Sequence, residues 1–133
     1  MTAKSETVNE WLSTLIDIKG TNMIISDHDL NKFTIRNRSN LSVIKTIHHR
    51  FGHLWYGFYH PGQKIVTLGI SDNLVEFDFE KMKFTKKTKT LSSVFHIEKV
   101  NDESFLVGEY NGYLELINKK DLTCLSILLL EGV

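Results

Sequence analysis

Phe105-Leu106-Val107-Gly108-Glu109-Tyr110-Asn111-Gly112-Tyr113-Leu114-Glu115-Leu116-Ile117 reads as two short strands joined by a tight turn. Apolar and polar residues alternate after Gly112, the mark of a strand with one face better buried than the other. Asn-Gly tolerates left-handed backbone and fits a two-residue type I′ hairpin turn. Working outward, the same punctuation recurs twice upstream, at Asp72-Asn73 and at Leu30-Asn31. The three turns lie about 40 residues apart, a period that belongs to repeat architectures built from strand-turn-strand units.

The copies align along most of their length. Their first strands are Thr14–Ile18, Leu54–Tyr59 and Val94–Glu98. Turns follow at Lys19–Asn22, His60–Gln63 and Asn101–Ser104, and second strands at Met23–Ser26, Lys64–Leu68 and Phe105–Glu109. The chain's single proline falls in one of these turns, as Pro61-Gly62, which suits the central positions of a type II turn. Third strands match as Lys32–Arg36, Leu74–Asp78 and Tyr113–Ile117, and fourth strands as Leu41–Ile47, Lys83–Leu91 and Leu122–Leu130. Four short strands per repeat predict an all-β fold. The expected architecture is an incomplete β-propeller of about three four-stranded antiparallel blades, 10–47, 48–91 and 92–133, within one partial propeller spanning 1–133. A β-sandwich is the alternative, but it does not call for one register repeated three times.

The matched units resemble degenerate WD repeats. The turn of that family survives as Asp72-Asn73 and Asn111-Gly112, while its strand-ending Trp-Asp is replaced by Arg36-Asn37, Asp78-Phe79 and Ile117-Asn118. Glu10-Trp11-Leu12-Ser13 resembles the opening of an innermost blade strand, and Gly52-His53 echoes a Gly-His of the family. The resemblance covers about residues 10 to 130. It implies a non-enzymatic protein–protein interaction scaffold that presents loops to other proteins or peptides.

Propellers close with about 4 to 8 blades, and a lone repeat cannot bury both its faces. Further blades from a longer chain, or self-association, are therefore expected. The apolar run Thr123–Leu130 points the same way, because an open edge strand is ordinarily blunted by charge or proline. In the first dozen residues, Thr7–Glu10 also fits a helix capping box, with Val8, Trp11, Leu12 and Leu15 on one helical face.

The 16 basic and 16 acidic residues cancel, and no clustered basic face of the kind that binds nucleic acid is read. The one cysteine, Cys124, excludes an internal disulfide framework. The polar N-terminus lacks a signal-type apolar run, and no stretch is apolar enough to span a membrane. A soluble, intracellular, cytoplasmic protein is expected.

Lys81, Lys83, Lys86, Lys87 and Lys89 form the chief charged run. Lysines on an outer strand guard against sheet-to-sheet pairing. The same lysines are the candidate contacts for an anionic partner, a phosphoinositide headgroup or an RNA backbone. Phe51, Trp55, Tyr56, Phe58 and Tyr59 are dense enough to be packing, with Trp55, Tyr56 and Tyr59 as candidate peptide contacts. His28, His48, His49, His53, His60 and His96 lack the spacing of a metal site, and Asp27-His28-Asp29 reads as a polar hairpin. No nucleophile elbow or Gly-rich phosphate loop is present, so no catalytic residue, metal or cofactor is implied. Asn37-Arg38-Ser39 and Asn40-Leu41-Ser42 are formal glycosylation sequons that an intracellular chain would not use.

Overall fold

The computed structural model describes residues 14–130. The stretch before Thr14, with the capping-box and Trp11 readings, lies outside the described residues, as do the side chains of Asp27 and His28. Strand-forming runs separated by turn residues give three antiparallel sheets, each a simple four-stranded meander. The first sheet holds β1 (Thr14–Ile18), β2 (Met23–Asp29), β3 (Lys32–Asn37) and β4 (Val43–His48). The second holds β5 (Leu54–Tyr59), β6 (Ile65–Ile70), β7 (Asn73–Asp78) and β8 (Lys83–Lys89). The third holds β9 (Val94–Lys99), β10 (Ser104–Glu109), β11 (Tyr113–Asn118) and β12 (Cys124–Leu129). Neighbouring sheets meet through their first strands, β1 against β5 and β5 against β9. This is the blade arrangement expected, and the sandwich is set aside.

The turn chemistry holds in kind and shifts in detail. Gln63 N–H donates to His60 O at 3.0 Å, and Gly62 has φ 77°, as Pro-Gly requires. The tip between β6 and β7 is Ser71-Asp72, with Ser71 at φ 51°, not Asp72-Asn73. Asn73 already pairs with Ile70, so the second copy's third strand starts one residue earlier than its alternation suggests. Asn111-Gly112 is not a two-residue turn either. Gly112 N–H donates to Glu109 O at 3.1 Å and Gly112 alone takes positive φ, 86°, which makes a three-residue tip ending in a left-handed glycine.

A second repeated device closes the opposite end of each blade. Asn37, Asp78 and Asn118 each end a third strand and accept, through Oδ1, the N–H of Ser39, Glu80 and Lys120. Four residues after each, Leu41, Met82 and Leu122 adopt positive φ, 64°, 57° and 58°. The side-chain bond replaces a backbone turn bond, and the bulky left-handed residue costs about 1–2 kcal/mol. Leu122 offsets its cost by burying its side chain.

The core lies between sheets. Phe33 and Ile35 of β3 and Ile25 of β2 meet Val66, Leu68, Val75 and Phe77 of the second sheet. Between second and third sheets, Leu74 meets Val94, Ile97, Phe105, Val107 and Ile117. Burial of each such side chain contributes about 1.5–3 kcal/mol. The second interface is thinner and more polar, because Glu76, Glu109 and Glu115 are buried there.

Candidate interaction surface

Two β-bulges build an aromatic rim. In the second sheet Leu54 pairs with Ile70 and Tyr56 with Gly69, leaving Trp55 as the extra residue. In the third, Val94 pairs with Glu109 and His96 with Gly108, leaving Phe95. A bulge re-aims the extra side chain away from the pleat. Trp55 and Phe95 therefore meet across the blade boundary, centroids 6.1 Å apart at 84°. Phe95 meets Tyr110, from the β10–β11 tip, at 5.3 Å and 82°. His53 lies 5.8 Å from Trp55. Tyr110 is 69% exposed and Phe95 47%, unusual for rings with no burial to gain.

The expected trio of Trp55, Tyr56 and Tyr59 is thus divided. Tyr56 lies 4.8 Å from the His96 ring and packs on the second core, and Tyr59 packs on Phe79 at 5.9 Å in the first. Only Trp55 joins the rim. Phe95 and Tyr110 were not picked out from the sequence, although Phe95 occupies Trp55's place in the repeat.

The lysine run is divided too. Lys81 precedes β8, and a bulge at Thr85 separates the rest. Lys83 and Lys86 oppose Asp78 and Glu76, on the face turned to the third sheet, while Lys87 and Lys89 oppose Val75 and Asn73 on the other. Lys86 Nζ is 3.3 Å from buried Glu76, whose Oε1 also takes the Thr85 hydroxyl at 2.8 Å. Lys89 is 3.1 Å from Asp72. Lys86 instead joins Lys119 and Lys120 around a groove of about 460 Å³ that Gln63, Asp102 and Glu103 also line. Beside it, a cavity of about 140 Å³ is lined by Phe58, His60, Lys99 and Phe105. His60 Nε2 lies 2.6 Å from Thr67 Oγ1. Burial, then Lys119, Lys99 and Lys86, lower its pKa to about 4. His49, among Phe33, Phe51 and Phe84, is likewise lowered to about 4 by burial. Neither ring carries charge near neutrality.

Behind the rim sits a pair of carboxyls. Glu109 and Glu115 are 6% and 4% exposed. Ser92 N–H donates to Glu109 Oε1 at 2.8 Å, and Leu91 N–H to Glu115 Oε2 at 3.3 Å. Tyr110 N–H donates to Ser93 O at 2.8 Å, and Asn111 N–H to Ser92 Oγ at 3.2 Å. The linker between second and third blades is thereby fastened to the hairpin that carries Tyr110. Burial, and then the Glu115 carboxyl beside it, raise the Glu109 pKa to about 8, so Glu109 holds a proton at neutral pH.

No protein-family model and no curated protein matches the chain. Its structure is similar to that described as "Crystal structure of RRP9 WD40 repeats", with TM-score 0.74 and 8% identity over 86% of this chain and 37% of that one. It is similar also to "Structure of U3-55K", with TM-score 0.74 and 8% identity over 86% of this chain and 38% of that one. The chain spans somewhat more than a third of each. At that identity the likeness concerns the fold alone, and the fold is three consecutive four-stranded blades of a WD40-like β-propeller.

Proposed function

We propose that this chain is a non-enzymatic interaction scaffold whose contact surface is the rim of Trp55, Phe95 and Tyr110. The observation that carries the reading is the rim itself: three rings from two blades set edge to face, Phe95 and Tyr110 exposed and Trp55 half-buried beside them. Trp and Tyr are enriched among the few residues that dominate binding energy, each worth about 2 kcal/mol or more. The fold carries many functions, so the site and not the fold supports this reading. The partner is a protein or peptide segment that lays an apolar side chain across the rings. The test is selection of peptides from a random display library on the chain, followed by affinity measurement on Trp55→Ala and Tyr110→Ala. A loss of about 30-fold or more per variant, with the circular dichroism unchanged, supports the rim. Unchanged affinity in both refutes it.

A second reading keeps the anionic partner but moves it. Lys86, Lys119 and Lys120 converge on one groove, and Lys119 and Lys120 have no ion-pair partner among the described residues. Contact there with an acidic peptide, a phosphoinositide or RNA would weaken steeply with salt. Binding to Lys119→Ala/Lys120→Ala that equals the parent's would end this reading. Further blades, from a longer chain or from self-association, would cover the open face of the third sheet, where Leu128 opposes Leu114 and is 56% exposed.

A further inference from the structure

Glu109 and Glu115 occupy the strand positions that Ile70 and Val75 hold in the second sheet. The first blade boundary is fastened there by neutral groups. Ser71 N–H donates to His53 O at 2.8 Å, and His53 N–H to Ser71 Oγ at 3.1 Å. The second boundary puts two carboxyls in the same place. Each holds one amide of the Leu91–Ser93 linker, and both are buried. Glu109 Oε2 is buried and has no hydrogen-bond partner among the described residues, and burial beside Glu115 holds a proton on Glu109 up to about pH 8. The groups that face the pair are the Leu91 and Ser92 amides and the Cys124 thiol of β12, itself raised by burial and by Glu115. No lysine, arginine or histidine among the described residues forms an ion pair with either carboxyl to balance a second negative charge.

We propose that the Glu109–Glu115 pair is a proton-operated clasp: with one shared proton it fastens the Leu91–Ser93 linker and sets the rim, and loss of that proton to solvent base releases both. Two like charges held in one buried site, on the consecutive amides of Leu91 and Ser92, strongly disfavour each other. The linker is the part able to give way, because the Leu91 and Ser92 amides are the backbone donors that the two carboxyls hold. Ser93 O holds the Tyr110 amide, and Phe95 lies two residues on, so release of the linker moves two of the three rim rings. As regulation of a contact surface, the clasp rests on the rim reading above. As a structural device it does not.

The sign follows from linkage. Glu109 in the folded chain binds its proton up to about pH 8, whereas an unfolded glutamate loses it near 4.5. The stabilisation is complete below the lower value and is lost as pH rises through the upper one.

The test needs no ligand. With Trp11→Phe as the parent, Trp55 is the sole indole, and its fluorescence is followed from pH 6 to 9.5. The clasp predicts a change centred near pH 8, absent in Glu109→Gln, which keeps the Ser92 bond and adds a permanent donor to Glu115. Cys124→Ser should retain the change. In the unsubstituted chain, Ser92 amide protection should fall about tenfold more than that of Leu68 over one pH unit above the midpoint. A flat fluorescence trace in the parent, the same transition in Glu109→Gln, or Ser92 protection that tracks Leu68 overturns the clasp. Because no peptide is added, failure of the rim to bind peptides would leave these results standing.

Discussion

Val94 packs directly over Gly69. A methyl group on Gly69 would lie 2.6 Å from Val94 Cβ, so the second and third blades approach only because that position has no side chain. Gly108 of β10 contrasts, since a methyl there would find nothing nearer than 3.8 Å. Gly69→Ala is therefore expected to destabilise the chain by about 1–3 kcal/mol through overpacking, and Gly108→Ala to be tolerated. Thermal melts of the two variants check this, and equal melting temperatures would contradict it.

The first blade boundary should dominate stability. Phe77 is fully buried and meets Phe33 edge to face at 5.2 Å and Phe84 at 5.2 Å. Phe77→Ala is expected to cost about 3–5 kcal/mol. Leu125→Ala, on an exposed strand position, is expected to change stability by no more than about 0.5 kcal/mol. Chemical denaturation gives both values on one scale.

The Asx turns should each contribute measurably. Asn118 Oδ1 holds the Lys120 amide at 2.8 Å, and the loop returns through Leu122 N–H to Asn118 O at 2.8 Å. Asn118→Ala is expected to cost about 1 kcal/mol, the usual worth of such a bond. Asn118→Asp should restore it, because Asp78 fills the same role in the second blade.

Much of this fold is legible in the sequence because its signals are local. Alternation, Pro61-Gly62 and the recurring tips mark three meanders without any knowledge of tertiary contact. The one-residue slip in the second copy arose because Asn73, a turn-forming residue by type, is the first residue of β7. The better ruler was the Asx series of Asn37, Asp78 and Asn118, about 40 residues apart, which the sequence shows only as part of the dipeptides that replace Trp-Asp. The candidate site was less legible. A bulge adds one residue and leaves no compositional mark, so nothing announced that Trp55 would meet Phe95. The bulge at Thr85 likewise distributes four neighbouring lysines, Lys83, Lys86, Lys87 and Lys89, over two faces. Glu109 and Glu115 look like ordinary solvent-facing positions of alternating strands, and only the packing of the second blade buries them.

Acid should loosen the molecule through its neutral histidines. His49 and His60 have their pKa values lowered to about 4 by burial, against about 6.5 for a free imidazole. Groups depressed in this way contribute stability that is present above pH 6.5 and is lost as pH falls through about 4. Melting temperature should therefore decline from pH 7 to pH 4, and His60→Gln should flatten part of that decline. A parent curve already flat over the range would contradict it.

The most direct measurement is amide and side-chain shift mapping by NMR with a peptide selected on the intact chain. The account predicts that the perturbations centre on the Trp55 indole, Phe95 and Tyr110, across the boundary of the second and third blades. Perturbations centred on Lys86, Lys119 and Lys120, with the Trp55 indole unmoved, would contradict it and place the contact in the charged groove.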